Sequence, residues 1–242
     1  MPEPGSSRPA IPSRSCLPQA GPSHHEHRRR SKQDHQRASE STAEALVLYA
    51  SMMVAEAEHR KGEEGALLAK RFLESTTYIN ITFSVYDDAA QTTLIRLDGK
   101  HKRYDLTGVF LGDNRRPLFV EVKNYNNVGN QPADYDEFLA NAYSTTARDM
   151  SVNLDRSVEY MWITRHPFSQ TKWSQLTSDK EIIAALDKHA DTLNGAVVDS
   201  SIVRKLADRL WLVMMNSRQE EFLLTREELF LVHGVLQRKG IG

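Results

Sequence analysis

The stretch that decides the reading runs Lys102-Arg103-Tyr104-Asp105-Leu106-Thr107-Gly108-Val109-Phe110-Leu111, turns at Gly112-Asp113-Asn114, and returns as Leu118-Phe119-Val120-Glu121-Val122-Lys123. Two β-prone arms around a turn-forming triplet predict an antiparallel hairpin. Side chains alternate between the faces of a strand, so Leu118, Val120 and Val122 point one way and Phe119, Glu121 and Lys123 the other. A carboxylate and an ammonium therefore project together from a strand whose opposite face is apolar. Fifteen residues separate Asp105 from Glu121. With the turn centred near residues 113–114, opposed positions sum to about 227. That register sets Asp105 against residue 122, and a slip of about one residue brings it to the Glu121/Lys123 side.

Working outward, Ser41 or Thr42 caps an expected helix, with Glu44 in its first turn and Leu46, Tyr49, Ala50, Met53 and Ala57 at helical spacing. Leu67, Leu68, Phe72 and Leu73 continue the stripe to about Glu74. Thr77 to Tyr86 reads as a strand and Leu94–Leu97 as a further short one, both ahead of the Lys102–Leu111 strand. After the hairpin, Gln131-Pro132 opens a helix that buries Tyr135, Phe138, Leu139, Ala142 and Tyr143. Glu159 to Thr164 is a strand, Ser178 and Asp179 cap a helix bearing Ile182, Ile183 and Leu186, Arg209 to Met215 is a strand, and Thr225 to Leu236 a final helix. This order predicts an α/β domain over residues 41–242, with a mixed sheet covered by helices on both faces.

Composition limits the function classes. Residues 1–40 hold six of the nine prolines and only seven apolar side chains, and are expected to be a disordered Pro/Arg/His-rich tail. Within it, the run His24-His25-Glu26-His27-Arg28-Arg29-Arg30 reads either as a solvated linker or as a contact for nucleic acid or metal. The tail carries seven Lys/Arg against four Asp/Glu, a balance of +3; the other 202 residues carry 24 against 28, a balance of −4. A nucleic-acid function must then rest on a local basic patch or on metal ions. No apolar run reaches the roughly 18 residues a membrane helix requires. The one cysteine, Cys16, excludes a disulfide framework, and no apolar stretch near the start suits a secretory signal. A cytoplasmic, membrane-free protein is expected.

An E-x-K triplet carries little information alone, and Asp98-Gly99-Lys100 is a nearby D-x-K decoy whose glycine marks a turn. Context gives Glu121-Val122-Lys123 its meaning. Two carboxylates converging at a strand opening, with an amine two residues on, suit a hard divalent cation such as Mg²⁺. Such an ion lowers the pKa of a water and balances charge growing on a phosphate. The plain alternative is a surface Glu–Lys pair beside an incidental Asp. Glu64, four residues before Leu68 and eight before Phe72, extends the helical stripe towards the core or a cleft. Its neighbour Glu63 follows the Leu67 row and can substitute, and either can serve only the helix dipole.

A helix with an inward Glu, a strand, an Asp-bearing strand, the E-x-K strand, a helix and a strand together resemble the PD-(D/E)XK nucleases. The likeness spans roughly residues 58–215. It implies a restriction-endonuclease-like αβββαβ core and hydrolysis of phosphodiesters with Mg²⁺, for which Mn²⁺ can stand in. By this resemblance Asp105, Glu121 and the Val122 carbonyl are metal ligands, and Lys123 positions the attacking water. Glu64 then corresponds to the helix-one acid that binds or orders a metal-bound water. Gln131 and Tyr135 look like a polar pair that some branches keep beside the site, although Gln131 can equally cap its helix. Tyr104 stands where the motif has proline, a common replacement. The expected activity is that of a DNA endonuclease in restriction, defence, repair or mobile-element biology. A homodimer or a separately encoded specificity partner is compatible with so short a chain.

Lys102 and Arg103, with Arg115 and Arg116 at the hairpin tip, supply a candidate basic patch for nucleic-acid phosphates. Solvated hairpin charges are the alternative. The rival from another class is a catalytically inert nucleic-acid-binding or assembly module of the same fold; a small-molecule phosphohydrolase is a third reading.

Overall fold

The computed structural model describes residues 24–112, 114–125 and 127–236. The elements in chain order are α1 His24–Ser75, β1 Ile79–Ser84, β2 Thr93–Ile95, β3 His101–Arg103, β4 Leu106–Phe110, β5 Pro117–Lys123, α2 Gln131–Ser151, β6 Glu159–Thr164, α3 Asp179–Lys188, α4 Ser200–Ala207, β7 Leu210–Met214 and α5 Arg226–Leu236. Short 3₁₀ turns lie between some of them. Residues Met1–Ala55 and Glu56–Gly242 form two units. No helix among the described residues is long and apolar enough to cross a membrane.

The second unit is an α/β fold around a five-stranded mixed sheet of order β1-β4-β5-β6-β7. Strands β1, β4 and β5 pair antiparallel, while β5, β6 and β7 run parallel. A parallel pair needs a long crossover, and here α2 joins β5 to β6 while α3 and α4 join β6 to β7. The alternation read from β5 holds. Leu118 and Val120, with Val122 at the margin, pack with Ala66, Ala69 and Leu73 of α1 and with Leu106, Met161 and Ile163. Phe119 faces the other way, into a cluster with Tyr160, Trp162 and the buried side of α2. The expected buried residues Tyr135, Phe138, Leu139, Ala142 and Tyr143 of α2 all lie in that cluster.

The helix expected from Ser41 or Thr42 starts at His24 instead. From His24 to Lys61 the chain contains neither proline nor glycine, so nothing there breaks a helix. The tail expected over 1–40 is thus helical from His24; residues 1–23 lie outside the described residues. The stripe expected from Leu46 to Met53 is not buried: Leu46, Tyr49 and Met53 are exposed, as are Val47, Leu48, Met52 and Val54. Apolar positions there fall on every side of the helix and define no single face.

Two further elements depart from expectation. The strand expected over Lys102–Leu111 is cut in two, β3 pairing with β2 in a separate ribbon and β4 entering the sheet. Helix α4 was not foreseen, although Asp199 caps it, accepting the Ser201 N–H at 2.7 Å, and Ile202, Val203 and Leu206 form its buried face.

Candidate active site

The cut in the strand builds the site. Tyr104 donates its N–H to Thr92 O in the ribbon at 2.9 Å, and Asp105, the next residue, donates to Val120 O in β5 at 3.0 Å. The chain changes partner between these two residues, leaving Asp105 at the mouth of β4. The β4–β5 pairs run Leu106↔Val120, Thr107↔Phe119, Gly108↔Leu118 and Val109↔Pro117. One more step sets Asp105 opposite Glu121. The hairpin is therefore one position off the register counted from the turn, and the shift lies in the tip, where Phe110 N–H reaches Arg116 O at 3.0 Å.

Asp105 Oδ2 accepts the Val122 N–H at 2.6 Å. In a strand the N–H and C=O of one residue share a side, so the Val122 carbonyl also turns toward the β4 edge. Glu121 is 9% exposed and meets an ammonium at each oxygen: Lys123 Nζ is 3.1 Å from Oε1 and Lys102 Nζ 3.0 Å from Oε2. Lys123 Nζ lies 3.9 Å from Asp134 Oδ2, in the first turn of α2, and 5.3 Å from the centre of the Trp162 ring. Asp134 is fixed in turn by the Tyr125 hydroxyl at 3.1 Å and the Asn130 amide at 3.0 Å.

Burial, followed by the charge of Glu121, pushes the Asp105 carboxyl up to about 7, against the Val122 N–H, Lys123 and Lys102. Burial pulls the Lys123 ammonium down, but the charge and hydrogen bond of Glu121 outweigh it and hold the group above the usual lysine range. Two buried side-chain atoms at this place make no hydrogen bond: Glu121 Oε2 and Trp162 Nε1. The approach of Lys102 to Oε2 is thus one of charge without hydrogen-bond angles.

Of the residues the sequence singled out, Asp105, Glu121, Val122 and Lys123 come together. Glu64 does not join them; its side chain is exposed. Helix α1 does pass the end of β5, since a Cβ on Gly65 would lie 2.8 Å from Asn124 Cβ, but its inward face there is Gly65, Ala66 and Ala69. Glu63 lines a cavity of about 750 Å³ with Tyr86 and Leu106, on the α1 side of the sheet. Burial, followed by the charges of Asp105 and Glu63, raises the Tyr86 phenol.

The expected nucleic-acid contacts disperse. Gln131 is fully buried and acts as a clamp: its amide donates to His166 O at 3.1 Å and Asn127 O at 3.3 Å, and its oxygen accepts from Thr164. Tyr135 is buried and donates to Leu176 O at 3.0 Å. Arg116 pairs with Glu159 and lies over Phe110. Arg115 and Arg116 stand at the opposite end of β5 from Lys123, roughly 16 Å from Glu121 at the rise of a strand. Arg103 is exposed. Lys102 belongs to the acid cluster rather than to a surface patch. Sequence reasoning missed Asp134 and this role of Lys102; the one available signal was the placing of Asp134 in the first turn of the helix after the E-x-K strand.

Among the described residues, no group of three or more His, Cys, Asp and Glu side chains gathers closely enough to hold a metal ion. The donor set is two carboxylates and a backbone carbonyl, all hard oxygens, with one carboxylate oxygen buried and lacking a hydrogen bond. That fits Mg²⁺, which commonly uses one or two carboxylates and keeps several waters. Comparisons with family models, curated proteins and solved structures find no match for the chain.

Proposed function

We propose that the chain is a metal-dependent nuclease of the PD-(D/E)XK type, with a restriction-endonuclease-like core formed by α1, β1, β4, β5, α2 and β6. The reaction is hydrolysis of a phosphodiester, with DNA as the first substrate to test. The observation that carries the reading is the meeting of Asp105 and Glu121 across the β4–β5 pair, with Lys123 against Glu121. Asp105, Glu121 and the Val122 carbonyl would hold the cation, and Mn²⁺ can take the place of Mg²⁺. When bound, the metal supplies a Lewis acid and neutralises charge on the phosphate. Lys123 stays protonated, because its ammonium is held above the usual range. It therefore acts as a fixed positive charge that orients a water and steadies the phosphate, not as a proton acceptor. Asp134 holds that amine from the far side.

The test is cleavage of plasmid, linear duplex, single-stranded DNA and RNA with Mg²⁺ or Mn²⁺. Asp105→Ala, Glu121→Ala and Lys123→Ala should each lower the rate by at least about 100-fold, the scale of losing one electrostatic contributor. Cleavage that survives Lys123→Ala overturns the assignment.

One observation favours the rival, an inert nucleic-acid-binding or assembly module: two ammonium groups already compensate Glu121. That module would keep its nucleic-acid or partner binding without turnover and without a response to divalent metal.

A further inference from the structure

The two amines on Glu121 differ in their freedom to leave it. Lys123 is two residues from Glu121 on a strand paired on both sides, and its ammonium is confined by Trp162 and Asp134. Lys102 comes from β3, three residues long and paired only with β2 in the outer ribbon. Its ammonium lies 5.3 Å from the centre of the Tyr104 ring, and its side chain is about as buried as that of Lys123. Among the described residues Glu121 is its one ion-pair partner, at 3.0 Å, whereas Lys123 also meets Asp134. Two buried side-chain polar atoms here make no hydrogen bond, Glu121 Oε2 and, in the ring beneath Lys123, Trp162 Nε1. Three carboxylates, of Asp105, Glu121 and Asp134, face two ammonium groups, and that of Lys102 stands on the buried Glu121 oxygen itself. A further double positive charge cannot enter at Glu121 without repelling an ammonium 3.0 Å from Oε2.

We propose that Lys102 is a resident counter-ion of Glu121 that competes with the divalent cation, swings away when the cation is taken up, and so sets the metal concentration at which the site becomes competent. This inference rests on the nuclease reading and concerns the regulation of the same site.

The experiment is a Mn²⁺ titration of the full chain by calorimetry and by the electron paramagnetic resonance of free Mn²⁺. It compares the native chain with Lys102→Met, Lys102→Gln, Lys102→Arg and Asp105→Asn. Met and Gln keep much of the stem and remove the charge, so folding is secured by either. Both should bind Mn²⁺ about tenfold more tightly than the native chain, while Arg stays within about twofold. Asp105→Asn should weaken binding strongly. Binding seen only in Lys102→Met and Lys102→Gln also supports the proposal. If Met and Gln leave the affinity unchanged or weaker while Asp105→Asn still weakens it, the counter-ion role falls and the nuclease reading stands. Absence of binding in every chain, or binding indifferent to Asp105→Asn, overturns both.

Discussion

Asp105 carries the sharpest single-residue consequence. Its carboxyl is raised by burial and by Glu121 from 3.8 to about 7 in the folded protein. Below about pH 4 the folded and unfolded chains both hold the proton and the shift costs nothing. Between about 4 and 7 the unfolded chain releases its proton first, so native stability falls as pH rises, and the penalty is complete above 7. Asp105→Asn keeps an oxygen for the Val122 N–H and removes the ionisation. In metal-free buffer it should therefore be more stable than the native chain at pH 8, by on the order of 2 kcal/mol, and equal to it near pH 4. Urea unfolding at the two pH values measures this, and an Asn variant less stable at pH 8 contradicts it. At this scale the sequence was legible where chemistry depends on neighbours along one strand. Glu121 and Lys123 share a face because alternation requires it. Lys102 and Asp134 were not legible, because what joins them to the cluster is the placing of the ribbon and of α2, and neither is local in sequence. Gln131 and Tyr135 are not free to contact nucleic acid, because their polar atoms are used up by the carbonyls of His166, Asn127 and Leu176 and by the Thr164 hydroxyl.

Elements were mostly legible from pattern, and the exceptions have local causes. Strand β6 was read to the residue, and α2 opened at Gln131-Pro132 as expected. The Lys102–Leu111 strand broke because Tyr104, 1% exposed, turns into the core while its backbone pairs with Thr92. Periodicity cannot reveal a change of pairing partner. Helix α4 is only eight residues, too short for its period to stand out, though its cap was present. One close approach makes a test at this scale. Strands β1 and β4 draw so near at Gly108 that an added Cβ would lie 2.1 Å from Asn80 O and 2.8 Å from Ile81 Cα. Both are backbone atoms and cannot turn aside. Gly108→Ala should cost about 2–3 kcal/mol or more, at the upper end of overpacking penalties, as read by the midpoint of denaturant unfolding. A variant as stable as the native chain would show that β1 is not held against β4.

For the chain as a whole, the layered α/β plan followed from the order of elements, and the separation of faces followed from β5. The reach of the first helix did not, because absence of proline and glycine permits a helix without the apolar stripe that announces one. Within the second unit, α1 packs on one face of the sheet and α2, α3 and α4 on the other. The proposed cation site bridges β4 and β5 near the middle of that sheet, so occupancy should stabilise the cooperative fold. At 100 times its dissociation constant, Mn²⁺ adds about 2.7 kcal/mol, which raises the Tm by roughly 5–10 °C for a unit of this size. Asp105→Ala should abolish the rise. A native Tm indifferent to Mn²⁺ and Mg²⁺ favours the inert module.

The tip between Phe110 and Pro117 has a constraint of its own. Beyond Arg116, which pairs with Glu159, its length matters more than its composition, because a one-residue slip of one arm exchanges the faces of everything beyond it. One residue more would carry Asp105 past Glu121 to the opposite side of the sheet with every acidic group still in the chain. Lengthening this tip by pairs keeps the proposed chemistry in register, whereas an odd step silences it, so parity is the constraint the tip carries.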